Sequence, residues 1–260
     1  MELFCIIGCM EHASIQEIFS SIQGEGPWIG QRHLFVRFAG CDIGCRYCDT
    51  PAAIQKKQTD ADMFFCSVQR ASGSNMREQV PNPISVPALT GFCSRLTIPG
   101  PSRPTISVTG GEPLLHASFL MEWLPTVRPL FNIYLETSGL HPDAMVHVRD
   151  LVDIVSIDVK LPSATGLRPF WEEHRKFLQA TRGKTYYIKA VVTNDTSEED
   201  LLTSCELIAS HDRSTLLVIQ PASGPFAPQS SLLMHFQDLA LGILDDVRVI
   251  PQVHKILNIP

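Results

Sequence analysis

The sequence predicts an α/β fold on a parallel sheet, open or partly closed into a barrel. Three observations predict it. Seven short runs are rich in β-branched and aliphatic residues and read as strands: Leu34–Phe38, Thr105–Thr109, Asn132–Glu136, Ile154–Val159, Tyr186–Val192, Leu216–Gln220 and Val247–Ile250. They are mostly apolar, as strands buried on both faces of a parallel sheet are. Helical stripes fill the gaps, and several strands end in glycine or polar clusters.

Taken in order, the Leu34–Phe38 run leads straight into a cysteine trio at Cys41, Cys45 and Cys48. After the Thr105 run, Leu115, Phe119, Trp123 and Leu124 share one helical face that ends before Pro129. Thr196 to Asp200 reads as the capped, acidic first turn of a helix burying Leu201, Leu202, Cys205 and Ile208. Leu232, Leu233, Phe236, Leu239, Ala240 and Ile243 form a further stripe. Residues 54–104 break the alternation. They hold six prolines and a polar run from Gln55 to Asp62, and they predict one helix, from Ser85 or Pro87 to Arg95, among loops. That stretch has the look of an insertion in a single domain spanning 1–260.

Of 260 residues, 44% are hydrophobic and 18% charged, so a sizeable core is available and bulk disorder is excluded. A net charge of −6 argues against holding nucleic acid by general electrostatics. The apolar stretch Leu3 to Met10 is far shorter than the ~20 residues of a membrane span, and it lacks the basic flank of a signal peptide. The expected location is therefore the cytoplasm, with no membrane partner. There the eight cysteines read as thiols or metal ligands, not disulfides.

Polar residues gather where strands stop: Arg37 to Cys41, Thr109 to Pro113, Glu136 to Gly139, Asp158 to Lys160, and Gln220-Pro221. Any one cluster could be an ordinary turn. Five in register point to one shared site, because parallel α/β sheets bind ligands at the carboxyl ends of their strands. The trio has spacings of three and two intervening residues, which lets one loop wrap three thiolates around a soft metal centre. A structural zinc site wants four ligands, usually as separated pairs, and no second pair follows. Three cysteines on a four-iron cluster would leave one iron open to a substrate or cofactor.

The trio, Tyr47 before its last cysteine, and Gly110-Gly111-Glu112-Pro113 resemble the radical S-adenosylmethionine (SAM) superfamily. The resemblance implies a partial β/α barrel and a 4Fe-4S cluster on Cys41, Cys45 and Cys48, with SAM on the open iron. The adjacent glycines would let backbone approach the methionine ammonium. A closer match covers most of the chain. Ile18 to Gly26, Phe35 to Cys41, Cys48 to Pro51 and Val249 to Leu257 resemble the 7-carboxy-7-deazaguanine synthase family. That family converts 6-carboxy-5,6,7,8-tetrahydropterin to 7-carboxy-7-deazaguanine with loss of ammonia, on the route to queuosine. The resemblance further implies Mg2+ dependence, a homodimer and a flavodoxin or ferredoxin-type electron donor.

Roles follow residue by residue. Arg37 would clamp the substrate carboxylate; its plain alternative is a structural ion pair. Gln23 and Glu25, with backbone at Ile22 and Gly24, would read the pyrimidine edge, where an amide and a carboxylate suit guanidine-like N–H groups. Thr109 would lie on the substrate side. Thr50 is a plausible Mg2+ ligand, or simply a helix cap. On the SAM side the resemblance implies Tyr47, Cys48, Asp49, Gly111, Glu112, Ser138, Ser156, Ile157, Asp158, Lys160 and Gln220. Ser138 departs from the asparagine of many relatives. Pro260, with His254 beside it, would close over the substrate and offer a terminal carboxylate to pterin N–H groups; a frayed end is the alternative. Two rival readings stand beside this one: an activator of a glycyl-radical enzyme, and a non-catalytic iron–sulfur or zinc protein docking on RNA.

Overall fold

The computed structural model describes residues 11–50 and 65–260. The Leu3–Met10 stretch, Cys5, Cys9, Pro51 and the polar run from Gln55 to Asp62 lie outside these residues. The strands are β1 (His12–Ala13), β2 (Ile15–Ile22), β3 (Arg32–Phe38), β4 (Phe65–Gln69), β5 (Arg77–Pro81), β6 (Ile84–Ser85), β7 (Thr105–Gly110), β8 (Asn132–Thr137), β9 (Ile154–Val159), β10 (Thr185–Val192), β11 (Leu217–Pro221) and β12 (Val247–Val249). The helices are α1 (Val86–Leu96), α2 (Ala117–Val127), α3 (Pro142–Val148), α4 (Pro162–Thr165), α5 (Trp171–Ala180), α6 (Glu198–Asp212), α7 (Ser230–Leu241) and α8 (Val253–Ile256).

Among the described residues, ten strands form one open sheet in the order β12-β11-β10-β9-β8-β7-β3-β2-β4-β5. Pairing from β3 through β12 is parallel throughout, so the seven runs read from sequence form its parallel part, from the β12 edge to β3. The sheet is mixed at one side. β2 lies antiparallel to β3, β4 parallel to β2, and β5 antiparallel to β4. The sequence reading is corrected here: β2 is a strand of its own, and the 54–104 stretch carries a two-strand extension of the sheet besides α1. No barrel closes among the described residues, but the sheet curls. Glu25 lies three residues beyond β2, five strands from β10, which would be about 24 Å away on a flat sheet. Its carboxylate is nevertheless 2.6 Å from Lys189 on β10.

The two sheet faces separate by strict alternation. On the outer face Val36, Val108, Leu135, Ile157, Ile188, Ala190 and Ile219 are fully buried in one large core. Phe119, Leu120, Trp123 and Leu124 of α2, Phe177 of α5, Leu201, Cys205 and Ile208 of α6 and Phe236 of α7 join it. Ser197 caps α6 by accepting from the Asp200 N–H at 3.2 Å. Leu115, expected on the buried face of α2, precedes that helix and is exposed. Cys66, Cys93 and Cys205 are wholly buried packing residues; burial pushes the thiol of Cys66 up to about 12 and that of Cys205 up to about 11. The inner face begins as a second, smaller cluster of Tyr134, Tyr187 and Val218 with Trp28 against it. Among the described residues no helix is long and apolar enough to cross a membrane.

Candidate active site

Two positions further along the inner face, the aromatic residues give way to charge. Tyr134 is followed by Glu136 on β8, Tyr187 by Lys189 on β10, Ser156 by Asp158 on β9, and Val218 by Gln220 on β11. With Arg37 of β3 and Thr109 of β7 they line a cavity of about 460 Å³. The segment after β2 forms its floor. It leaves the sheet at the amino-terminal ends of the parallel strands and turns inward, so that Trp28 meets Tyr134 and Tyr187 edge-on or tilted, with centroids 5.8 Å away. Gly26 permits this turn: at φ +64°, an added Cβ would lie 2.1 Å from the Tyr187 hydroxyl.

That floor presents Gln23 and Glu25. Gln23 is buried, its Nε2 donates to Glu136 Oε1 at 2.9 Å, and its Oε1 accepts from the Glu25 N–H at 3.0 Å. The other Glu136 oxygen accepts from Thr109 Oγ1 at 2.8 Å. Glu25 accepts from Lys189 Nζ at 2.6 Å and from Gln252 Nε2 at 2.7 Å. Burial works against its charge, but Lys189 and Gln252 outweigh that and hold the carboxyl below its usual range. Lys189 also lies 3.5 Å from Asp158 Oδ2, which Lys160 approaches at 3.0 Å. Burial pulls both lysines down, yet their carboxylate partners raise them above the ordinary range, so both stay charged. Asp158 Oδ1 and Gln220 Oε1 are buried without a partner among the described residues, and each is an acceptor left open at the cavity.

The cysteine loop forms one wall. Gly111 N donates to Phe38 O at 3.0 Å and Glu112 N to Gly40 O at 2.8 Å, which ties the Gly110–Glu112 turn to the entry of the loop. All three thiols are free, half-buried and face the cavity, and burial pushes Cys41 up to about 11 and Cys45 in the same direction. Among the described residues, no three His, Cys, Asp or Glu side chains converge on a metal-holding geometry, the trio included. The donor set itself is three soft thiols on one loop, which fits a thiolate-bound centre in kind. Thr50 lines the cavity with its Oγ1 3.9 Å from Cys48 Sγ. Tyr47 lies under the Lys160 ammonium, 5.9 Å from ring centroid to Nζ.

The tail closes the opposite side. Val253 N donates to Gly24 O at 2.9 Å, and a Cβ at Gly24 would collide with His254 at 2.3 Å. Asp49 accepts from Gln252 at 2.8 Å and Lys255 at 2.9 Å; against a partial loss of solvent, these donors hold its carboxyl down at about 2. Burial lowers His254, against the opposing pull of Glu25. Pro260 faces the cavity, its carbonyl accepting from Ser21 Oγ at 2.7 Å.

The structure thus brings together Ile22, Gln23, Gly24, Glu25, Arg37, Cys41, Cys45, Tyr47, Cys48, Asp49, Thr50, Thr109, Gly111, Ser138, Ser156, Asp158, Lys160, Gln220, His254 and Pro260. It leaves out two. Ile157 points to the outer face by alternation, into the core. Glu112 is fully buried outside the cavity, with both oxygens occupied: Oε1 by Leu114 N and Thr137 Oγ1, Oε2 by Ser138 N and Ser138 Oγ. Ser138 spends its hydroxyl there. Gly110 also has another reason than ligand approach, since at φ +130° its Cβ would lie 2.2 Å from Phe38 O. Sequence reading missed Lys189 and Gln252. Lys189 could have been found as the one charge inside an apolar strand, in phase with Tyr187.

No protein-family model matches the chain. Its sequence is 36% identical over 250 residues to the 7-carboxy-7-deazaguanine synthase of Geobacter sulfurreducens, covering 95% of this chain and 97% of that protein. It is 34% identical over 258 residues to that of Thermococcus kodakarensis, covering 94% and 97%. The fold is similar to the crystal structure of QueE from Escherichia coli, with a TM-score of 0.62 at 22% identity, covering 93% and 94% of the two chains. On the strength of the full-length sequence matches, the chain belongs to the 7-carboxy-7-deazaguanine synthase family.

Proposed function

We propose that this chain is a radical SAM lyase that converts 6-carboxy-5,6,7,8-tetrahydropterin to 7-carboxy-7-deazaguanine and ammonia in queuosine biosynthesis. The observation that carries the reading is one cavity with three free thiols at one wall and a buried amide and two carboxylates at its floor. Cys41, Cys45 and Cys48 would hold a 4Fe-4S cluster. The bound cluster and SAM would supply the electron and the primary radical that begin ring contraction.

The chain's own residues then bind, orient and exclude water. Gln23, Glu25 and Glu136 would accept from and donate to the pterin's guanidine-like edge, with Ile22 and Gly24 giving backbone contacts and Thr109 holding Glu136. Arg37 would take the substrate carboxylate. Lys160 would meet the SAM carboxylate, and Ser156, Asp158 and Gln220 its hydroxyl and amine donors. Tyr47 and Asp49 would flank the adenine. Gly111 and Ser138 would offer backbone. Thr50 would complete a Mg2+ shell with substrate oxygens. His254 and Pro260 would close the pocket from the tail. A flavodoxin or ferredoxin-type donor, a homodimer and a cytoplasmic location complete the reading, and these rest on family resemblance.

The test is anaerobic. Cluster-reconstituted protein receives reductant, SAM, Mg2+ and the carboxypterin, and mass spectrometry reads the products. Deazapurine in many-fold excess over SAM consumed is the expected result. Deoxyadenosine without deazapurine would overturn the substrate, and neither product from cluster-replete protein would overturn the enzyme.

A further inference from the structure

Arg37 does not stand alone. Glu17 of β2 is its cross-strand partner in register, and Glu17 Oε1 accepts from Arg37 Nε at 2.8 Å. The other oxygen, Oε2, accepts from Arg77 Nη1 at 2.9 Å. Arg77 belongs to β5, in the stretch that sequence reading could only describe as insertion-like. Two guanidiniums therefore share one carboxylate, and the triad carries one uncompensated positive charge. That charge faces the cavity through Arg37, whose Nη groups make no hydrogen bond among the described residues. The side chains are about a fifth to a quarter exposed, so the excess is only partly screened by solvent. Arg77 is anchored further by lying over the Phe19 ring, 5.3 Å from its centroid. Phe19 in turn stacks on Phe35 at 5.1 Å, and both rings line the cavity.

We propose that Arg77 is a specificity-determining positioning residue: by holding half of Glu17, it keeps Arg37 under-neutralised and so selects a ligand that brings a carboxylate. The inference rests on the reading of Arg37 as the carboxylate clamp and adds a residue that never touches the ligand. Without Arg77, the whole charge of Glu17 would fall to Arg37. An internal ion pair would then compete with the ligand carboxylate for the same guanidinium.

The experiment reads binding, not turnover. Anaerobic calorimetry on cluster-loaded, SAM-bound protein gives the affinities for 6-carboxytetrahydropterin and for tetrahydropterin lacking the carboxylate, and their ratio is the preference. Arg77→Gln keeps a donor to Glu17 and removes the charge. It is expected to lower the preference about threefold, half on a logarithmic scale of the tenfold that 1.4 kcal/mol of a charge-assisted hydrogen bond represents. Arg77→Lys is expected to restore it. In a Glu17→Gln background the same Arg77→Gln change is expected to have no effect on the preference, because its route to Arg37 is gone. An unchanged preference in Arg77→Gln overturns the proposal, as does equal weakening of both ligands, which is what a merely structural role would give. Should Arg77→Gln fail to fold, Arg77→Met carries the same test. Product formation by the unaltered protein is followed separately, so failure of the lyase reading is seen apart from failure of this one.

Discussion

At the amino-terminal end of the inner sheet face, Trp28, Tyr134, Tyr187 and Val218 form an apolar plug. Two residues further along, the same strands present Glu136, Lys189 and Gln220 to a cavity. Backbone, register and neighbours are shared, so the strands themselves do not explain the difference. At the plug, hydroxyls satisfy one another: Tyr134 and Tyr187 meet at 2.8 Å. At the cavity, the charges satisfy one another only in part, and Asp158 Oδ1 and Gln220 Oε1 are left open. A protein tolerates buried acceptors without partners where a ligand supplies the donors. The plug completes the packing of the inner face at one end, and the cavity stays incomplete at the other.

The largest expected effect strikes the cavity alone. Cys45→Ser should reduce deazapurine formation by about 10³-fold or more, since the lost step is the radical chemistry itself and not its orientation. The denaturation midpoint of the cluster-free protein should not move, because the thiol is half-buried and outside the core. A fall in that midpoint would break the division between a stabilising end and a reacting end.

Lys189→Met comes next and touches both. It removes the counter-charge of Glu25 and one of two on Asp158. Breaking a buried pair leaves an uncompensated charge, and the expected loss is about 3 kcal/mol, the low end for such changes because Gln252 and Lys160 remain. Denaturant titration measures it. A loss under about 1 kcal/mol would mean that solvent already screens the cavity charges as it does surface pairs.

The same two ends explain what could be read from sequence. The seven parallel strands were legible because their outer faces are mostly aliphatic, and Ile154–Val159 matches to the residue. β2 was not: Ile15–Ile22 carries Gln16, Glu17, Ser20 and Ser21, and its pairing with β3 is interrupted between Ile15 and Glu17. β4 and β5 are short strands at the β5 edge of the sheet whose polar residues pair only with each other and β2, so their signal is tertiary. Most of the cavity lining was legible from strand ends and family motifs. Glu112 and Ile157 were placed there because a motif names neighbours in sequence, while alternation and hydrogen bonding decide which of them face the cavity. Lys189 and Gln252 lie far apart in the chain and became partners of Glu25 only through the curl.

A pH titration probes both ends at once. His174 Nε2 accepts from the Lys160 N–H at 3.0 Å, and burial holds its pKa at about 4. His33, beside the plug and bonded to Ser107 Oγ at 2.7 Å, is likewise held by burial at about 4. The unfolded chain protonates both near 6.5, so between 6.5 and 4 it binds more protons than the folded chain. Stability should fall as pH drops through that window, by at most about 3 kcal/mol per histidine. His174→Gln keeps an acceptor for Lys160 and should roughly halve the slope. No change in slope would mean that His174 is not neutral in the folded protein.

The smallest effect tests the separation most directly. Tyr187→Phe deletes one partner of the hydroxyl pair and leaves Tyr134 Oη buried. Leaving a neutral buried hydroxyl short of a partner costs about 1–2 kcal/mol. The lower figure is expected, because Ser156 lies beside both hydroxyls and can turn to satisfy Tyr134 alone. That same serine lines the cavity. If the ends are independent, Ser156 shifts its bond without moving Asp158, and turnover stays within about twofold, a barrier change of roughly 0.4 kcal/mol. If turnover falls tenfold while stability falls by only 1 kcal/mol, the plug is setting the geometry of the cavity through Ser156. The aromatic end would then belong to the machinery it appears only to support.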